Sequence, residues 1–238
     1  HNGEVATDVL GDIIEKTVAR GGSVIIPTFA VGRAQSILYH LWRLKQSGRL
    51  GLTPVYLDSP MAIDATDLLR AHRSDHRLTN EECDGACHVA TYLRDVEDSK
   101  ALMSNPLPKV ILAGSGMATS GRVLHHLINY APDRRNTIVL SGFQAAGTRG
   151  RSLAEGAREV KIHGQWVSIA AEVTSLDMLS AHADAGEILQ WLSGFHRKPR
   201  RVFIVHGEPH ASDALRVRIT DKLGWDCVIP QMGEKFEL

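Results

Sequence analysis

Apolar positions along this chain follow two periods in turn. Val9, Leu10, Ile13, Ile14 and Val18 recur at helical spacing ahead of Gly21-Gly22, which predicts a helix from Val5 to Arg20 stopped by glycine. Ser23 to Pro27 is short, apolar and β-branched, so it reads as a buried strand. TFAVGR follows, and Ile37, Leu38, Leu41 and Trp42 mark a second amphipathic helix. The alternation returns with strands at Val55 to Leu57 before DSPMA, Val110 to Ala113 before GSGMATSG, and Thr137 to Leu140 before SGFQAAGTRG. Strands alternating with helices predict a mostly parallel, Rossmann-like α/β sheet.

Residues 73–105 interrupt that rhythm: they are polar, show no sustained apolar period, and are expected to form irregular helix and loop on the surface, a variable insertion. From Glu159 the texture changes, because VKIHGQWVSIAAEV reads as two strands about a His163-Gly164 turn. A second structural unit is expected from about residue 156. It continues through a helix from Ala185 to Phe195, the basic turn FHRKPRR, a strand from Val202 to Val205, a helix after Pro209 and a last strand from Cys227 to Pro230.

With 238 residues, 43% hydrophobic and 23% charged, the chain can bury one large core or two modest ones. Its 27 Lys plus Arg balance 27 Asp plus Glu, which removes a global field toward polyanions and makes any such site local. Cys83, Cys87 and Cys227 are too few for a disulfide framework and point to a reducing, cytoplasmic setting. No apolar run approaches the roughly 18 residues that span a bilayer, so no membrane partner is expected. The start, HNGEVATD, lacks signal-peptide character, and His1 in place of Met reads as a fragment of a longer protein.

In an open parallel sheet, ligands bind beyond the carboxyl ends of the strands, so the small, Gly-rich segments after each strand converge on one cleft. GSGM, Gly114 to Met117, is the phosphate candidate: a strand delivers it, a helix beginning near Ser120 to Arg122 follows, and glycines let backbone N–H groups approach an anion. The same residues also fit a plain strand-to-helix turn, since this is neither a P-loop nor a dinucleotide fingerprint. SAHAD and VHGEP set His182 and His206 at helix starts, as metal ligands or proton carriers, or as ordinary loop residues beside an Asp184 cap supported by Glu187. Cys83, Cys87 and His88 lack a second ligand pair for zinc. Arg197, Lys198, Arg200 and Arg201 fit a solvated turn or a phosphate-tracking edge.

Taken in order, PTFAVGRAQ, LDSPMA, LAGSGM with GR a few residues on, SAHAD and VHGE resemble the β-CASP family of metallo-β-lactamase-fold nucleases. The likeness is close to bacterial and archaeal RNA-processing exonucleases, extends to the endonuclease subunit of the eukaryotic pre-mRNA 3′-end cleavage factor, and covers essentially the whole chain. It implies a β-CASP domain over residues 1–155 and, over 156–238, the C-terminal part of an αββα metallo-β-lactamase domain, with RNA between them. By the same resemblance His206 is a ligand of the second of two zincs, and His182 lies near the scissile phosphate as a leaving-group acid or transition-state contact. Ser115, Gly116, Met117, Arg122 and Ser180 fall in segments that touch RNA phosphates, and Arg33 is structural or phosphate-facing. The H-x-H-x-D-H signature and the other ligands of the two-zinc site are absent. The expectation is therefore a zinc-dependent ribonuclease, exo- or endonucleolytic, whose N-terminal half is missing and whose present chain is inactive alone, with homodimerisation left open. The rivals are a non-catalytic RNA-binding or scaffolding homologue and a nucleotide-binding α/β protein using GSGM.

Overall fold

A computed structural model describes residues 3–180 and 182–237. The elements are helix α1 (Gly3–Ala19), strand β1 (Val24–Pro27), α2 (Arg33–Gln46), β2 (Val55–Asp58), α3 (Pro60–Ala71), α4 (Asn80–His88), β3 (Thr91–Tyr92), α5 (Val96–Ser104), β4 (Val110–Ala113), α6 (Val123–Tyr130), β5 (Thr137–Leu140) and α7 (Arg149–Ala154). They continue with β6 (Glu159–Ile162), β7 (Gln165–Ser168), β8 (Glu172–Ser175), α8 (Ala185–Ser193), β9 (Val202–Phe203), α9 (Pro209–Leu223) and β10 (Cys227–Val228).

The main sheet has the order β3-β2-β4-β1-β5-β8, and its neighbouring strands are parallel. Side chains alternate across a strand, so both faces are apolar and β1, β4 and β5 are buried throughout. Val24, Ile26, Val110 and Leu112 pack with Leu10 and Ile14 of α1 and Ile37, Leu38 and Leu41 of α2. Ile25, Ile111, Ile138 and Leu140 face the other way, onto Val123, Leu124 and Leu127 of α6. The chain therefore leaves the adjacent strands β1 and β4 in opposite directions over opposite faces, and the loops after them frame a crevice of the kind where open parallel sheets bind ligands.

The sequence reading is corrected at residues 73–105. This segment supplies α4, the edge strand β3 and α5, with Cys83, Ala86, Cys87, Leu93 and Leu102 buried, so it is part of the core and not a surface insertion. Its apolar side chains are few because short helices bury narrow stripes, which leaves too few repeats for a period to show. The helix after GSGM starts at Val123, slightly later than expected. The hairpin is as expected: β6 and β7 pair antiparallel about His163 and Gly164, both at positive φ.

Contacts divide the chain into compact units of residues 1–180 and 181–238. The hairpin buries Val160, Ile162 and Val167 in the second core cluster of the main sheet, and β8 extends that sheet beside β5. The unit from residue 181 has its own core of Leu189, Leu192, Ile204, Ile219 and Trp225, with β9 and β10 paired parallel. Its first helix is capped as the sequence indicated: Asp184 Oδ1 accepts from the backbone N–H of Gly186 and Glu187, while Glu187 accepts from the N–H of Asp184. Among the described residues no helix is long and apolar enough to cross a membrane.

Candidate functional site

The loop after β4 is held from behind by its own carbonyls. Gln144 donates to Gly116 O at 3.2 Å, Gly150 N to Met117 O at 3.0 Å, and Arg149 to Thr119 O at 3.1 Å. Ser115 folds its hydroxyl inward, where Oγ accepts from the backbone N–H of Thr119 at 3.0 Å and Ser120 at 3.3 Å. The N–H groups of Ser115, Ala118 and Val123 are likewise spent on carbonyls of the same segment. Those of Gly116 and Met117 make no hydrogen bond among the described residues, which leaves two adjacent donors for an anion. Gly116 is required by close approach: a Cβ there would lie 2.7 Å from Phe29 Cδ2 and 2.9 Å from the Phe29 backbone N.

Arg33, the first residue of α2, donates from Nη1 to Ser141 O at 2.6 Å, and burial draws its pKa below the ordinary arginine value. The neighbouring Gly142 has φ 133°, and a Cβ there would sit 3.2 Å from the same nitrogen. Gln144 bonds Gly142 O at 3.0 Å as well as Gly116 O, so one buried amide joins the loops after β4 and β5. The structure thus brings Arg33 and the GSGM loop to one edge of the sheet.

Arg122 has a different placement from the one expected. Its guanidinium donates to Asp58 Oδ1 at 2.6 Å, Leu93 O at 2.9 Å and Arg94 O at 2.6 Å, so its hydrogen-bonding fork is committed to protein. Asp58, at the end of β2, is fully buried, and its other oxygen receives His126 Nε2 at 2.6 Å and Ser99 Oγ at 2.5 Å. Burial pushes the Asp58 carboxyl up, but the hydrogen bonds from His126, Ser99 and Arg122 outweigh it and hold the carboxyl below its ordinary range. Because an ionised carboxylate only accepts, the His126 ring presents Nε2–H to Asp58, and its buried Nδ1 has no partner among the described residues. Sequence reasoning missed this network. The available signal was an aspartate closing an apolar strand in YLD, since a buried carboxylate requires a cationic partner.

His182 lies exposed just ahead of α8, and Ser180 is half-buried at the end of the preceding unit. His206 is exposed between β9 and α9 with φ 65°. Left-handed backbone in a non-glycine residue costs about 1–3 kcal/mol and tends to mark functional segments. Ala118, in the loop after β4, has φ 52° and shares that conformation. Among the described residues no three His, Cys, Asp or Glu side chains gather where one ion could hold them, so the residues present do not make a zinc site by themselves. Cys83 and Cys87 are buried thiols on α4, and burial first, then Cys83, pushes the Cys87 thiol up to about 12. His88 spends Nδ1 on Asp84 O at 2.6 Å.

Residues 34–153 match the Beta-Casp domain, and residues 166–230 match the Zn-dependent metallo-hydrolase RNA specificity domain. The chain is 42% identical over 204 residues to Ribonuclease TTHA0252 of Thermus thermophilus, covering 83% of this chain and 46% of that protein. It is 32% identical to the Transcription termination factor FttA of Pyrococcus abyssi, over 99% of this chain and 38% of that protein. Identity to the RNase J-like protein of Methanocaldococcus jannaschii is 31%, over 92% and 51% respectively. The chain spans about half the length of these relatives or less.

Proposed function

Because this chain belongs to the β-CASP family of metallo-β-lactamase-fold RNA nucleases, we propose that it is the RNA-holding part of a zinc-dependent ribonuclease. The observation that carries this reading is the crevice beyond β1 and β4, where the unspent N–H groups of Gly116 and Met117 lie on a loop joined through Gln144 to the loop that Arg33 contacts. Backbone donors and a guanidinium attract phosphate without a metal and with no preference for sequence. In this reading residues 1–155 are the β-CASP part and 156–238 the returning metallo-β-lactamase part, and the two family matches fall on either side of that division.

His206 is proposed as one zinc ligand, the others lying outside this chain. His182 is proposed to protonate the leaving oxygen or to stabilise charge on the phosphoryl group, as an imidazole beside a scissile phosphate can. Ser180 and Ser115 are proposed to help position the strand. The free thiols fit a cytoplasmic setting.

The test is made in the full-length parent with labelled single-stranded RNA. His182→Ala should slow cleavage by about 100-fold or more while zinc content stays, and His206→Ala should lower zinc content. Loss of zinc from His182→Ala, or a full rate with full zinc in His206→Ala, would refute the assignment. The 238-residue chain alone should neither cleave RNA nor hold two zincs.

A further inference from the structure

Exposed apolar side chains gather at the same edge of the sheet. Phe29 is 43% exposed, Val31 72%, Met61 67% and Phe143 62%, and they follow the carboxyl ends of β1, β2 and β5. Two of them are aromatic: Phe29 lies against Gly116 of the proposed anion loop, and Phe143 directly follows Gly142, where a Cβ would sit 3.2 Å from Arg33 Nη1. Phe29 covers Gly116, as the 2.7 Å approach of a Cβ to its ring carbon shows. Phe143 stands between Gly142, which touches Arg33, and Gln144, whose amide turns inward to Gly116 O and Gly142 O. Ser141 Oγ donates to Pro27 O at 2.9 Å and Arg33 Nη1 to Ser141 O at 2.6 Å, so the loops after β1 and β5 that carry the two rings are fastened to each other.

We infer that Phe29 and Phe143 form a stacking platform for the bases of single-stranded RNA, with the Gly116 and Met117 N–H groups and Arg33 taking the phosphates between them. This rests on the ribonuclease reading above and adds how the strand is gripped and which form of RNA is accepted. Aromatic rings held in water forgo the burial they would gain in a core, whereas every base offers a π-face to them regardless of sequence. Rings set beside backbone donors and a guanidinium match the alternation of base and phosphate along an unpaired strand; a duplex hides its base faces and cannot use them. A protein partner laid on this edge would cover those donors with apolar surface and leave them unpaid. The chain's formal charge is zero, so long-range attraction is weak and stacking carries a larger share of the affinity.

The experiment uses the 238-residue chain and two fluorescent ligands of equal length, a short oligouridylate and an abasic ribose-phosphate oligomer. The base-bearing ligand should bind about 25-fold more tightly, and Phe29→Ala or Phe143→Ala should each cut that preference by about 5-fold or more, the low end for one lost base–aromatic stack. Phe143→Trp should retain the preference. Phe29→Leu keeps Gly116 covered, so its melting temperature should hold while the preference falls. The salt dependence should not change in any of these variants, since no phosphate contact is removed. Equal affinity for the two ligands, or unchanged preference in both alanine variants, would overturn the platform while leaving RNA binding intact. Self-association abolished by Phe143→Ala with RNA affinity untouched would overturn it in favour of a protein interface. Failure of both ligands to bind would overturn the platform together with the RNA-holding reading above.

Discussion

Replacing Arg122 by methionine separates a structural arginine from a phosphate-binding one. Methionine keeps the apolar stem and removes the fork that reaches Asp58, Leu93 O and Arg94 O. Asp58 is fully buried and the Arg122 side chain only 18% exposed, so the change leaves a buried carboxylate short of its cation. Breaking such a pair from one side costs about 3–5 kcal/mol. Because His126 and Ser99 still donate to the other oxygen, the low end applies, about 3 kcal/mol, or on the order of 10 °C in Tm for a domain of this size. Asp58→Asn combined with Arg122→Met should recover part of the loss, since both charges go together. The depressed Asp58 pKa adds a sign: its contribution is present above the unfolded carboxylate value and is lost as pH falls through the lower folded value. Arg122→Met should therefore shrink the acid-dependent part of the stability. The assay is thermal unfolding at neutral and acid pH, alongside RNA titrations at several salt concentrations. The structural role predicts a lower Tm with an unchanged slope of log K against log salt. An unchanged Tm with a slope reduced by about 1, the signature of one lost phosphate contact, would refute the reasoning.

His40 is buried, with Nδ1 2.8 Å from Thr7 Oγ1, and burial first, then Arg43, lowers its pKa to about 4. Between 6.5 and 4 the unfolded chain takes a proton that the folded chain refuses, so acidification through this window should cost up to about 3 kcal/mol; a His40→Gln variant with the same urea-midpoint pH profile as the parent would contradict this. Asp184→Ala should loosen the helix start, read as faster amide exchange at residues 185–188, and faster exchange in β1 instead would count against a local cap. Sulfate titration should shift the Gly116 and Met117 amides and spare those of Ser115 and Val123, which are already bonded. The reverse pattern would make the loop a packing turn only.

How far the sequence alone reached follows from the range of the interactions. The helices, the buried strands of the parallel sheet, the His163-Gly164 hairpin and the Asp184 cap were legible because each depends on residues within a few positions of one another. The convergence of small segments at the strand ends was legible too, because parallel connection forces it. Residues 73–105 were not, because their burial comes from pairing of β3 with β2 and from packing of α4 on α2 and α3, and two-residue strands and nine-residue helices carry too few repeats to show a period. Only the tertiary structure decided what Arg122 does. Its partner Asp58 is 64 residues away, His126 reaches the same carboxylate across 68 and Ser99 across 41, and one carboxylate's demand for partners in a dry interior claimed a side chain that the family resemblance had set in a phosphate-touching segment. The two free N–H groups were a tertiary outcome as well: Gln144, Gly150 and Arg149 hold the loop's carbonyls from behind, while Ser115 Oγ and nearby carbonyls take up the N–H groups of Ser115, Ala118, Thr119, Ser120 and Val123.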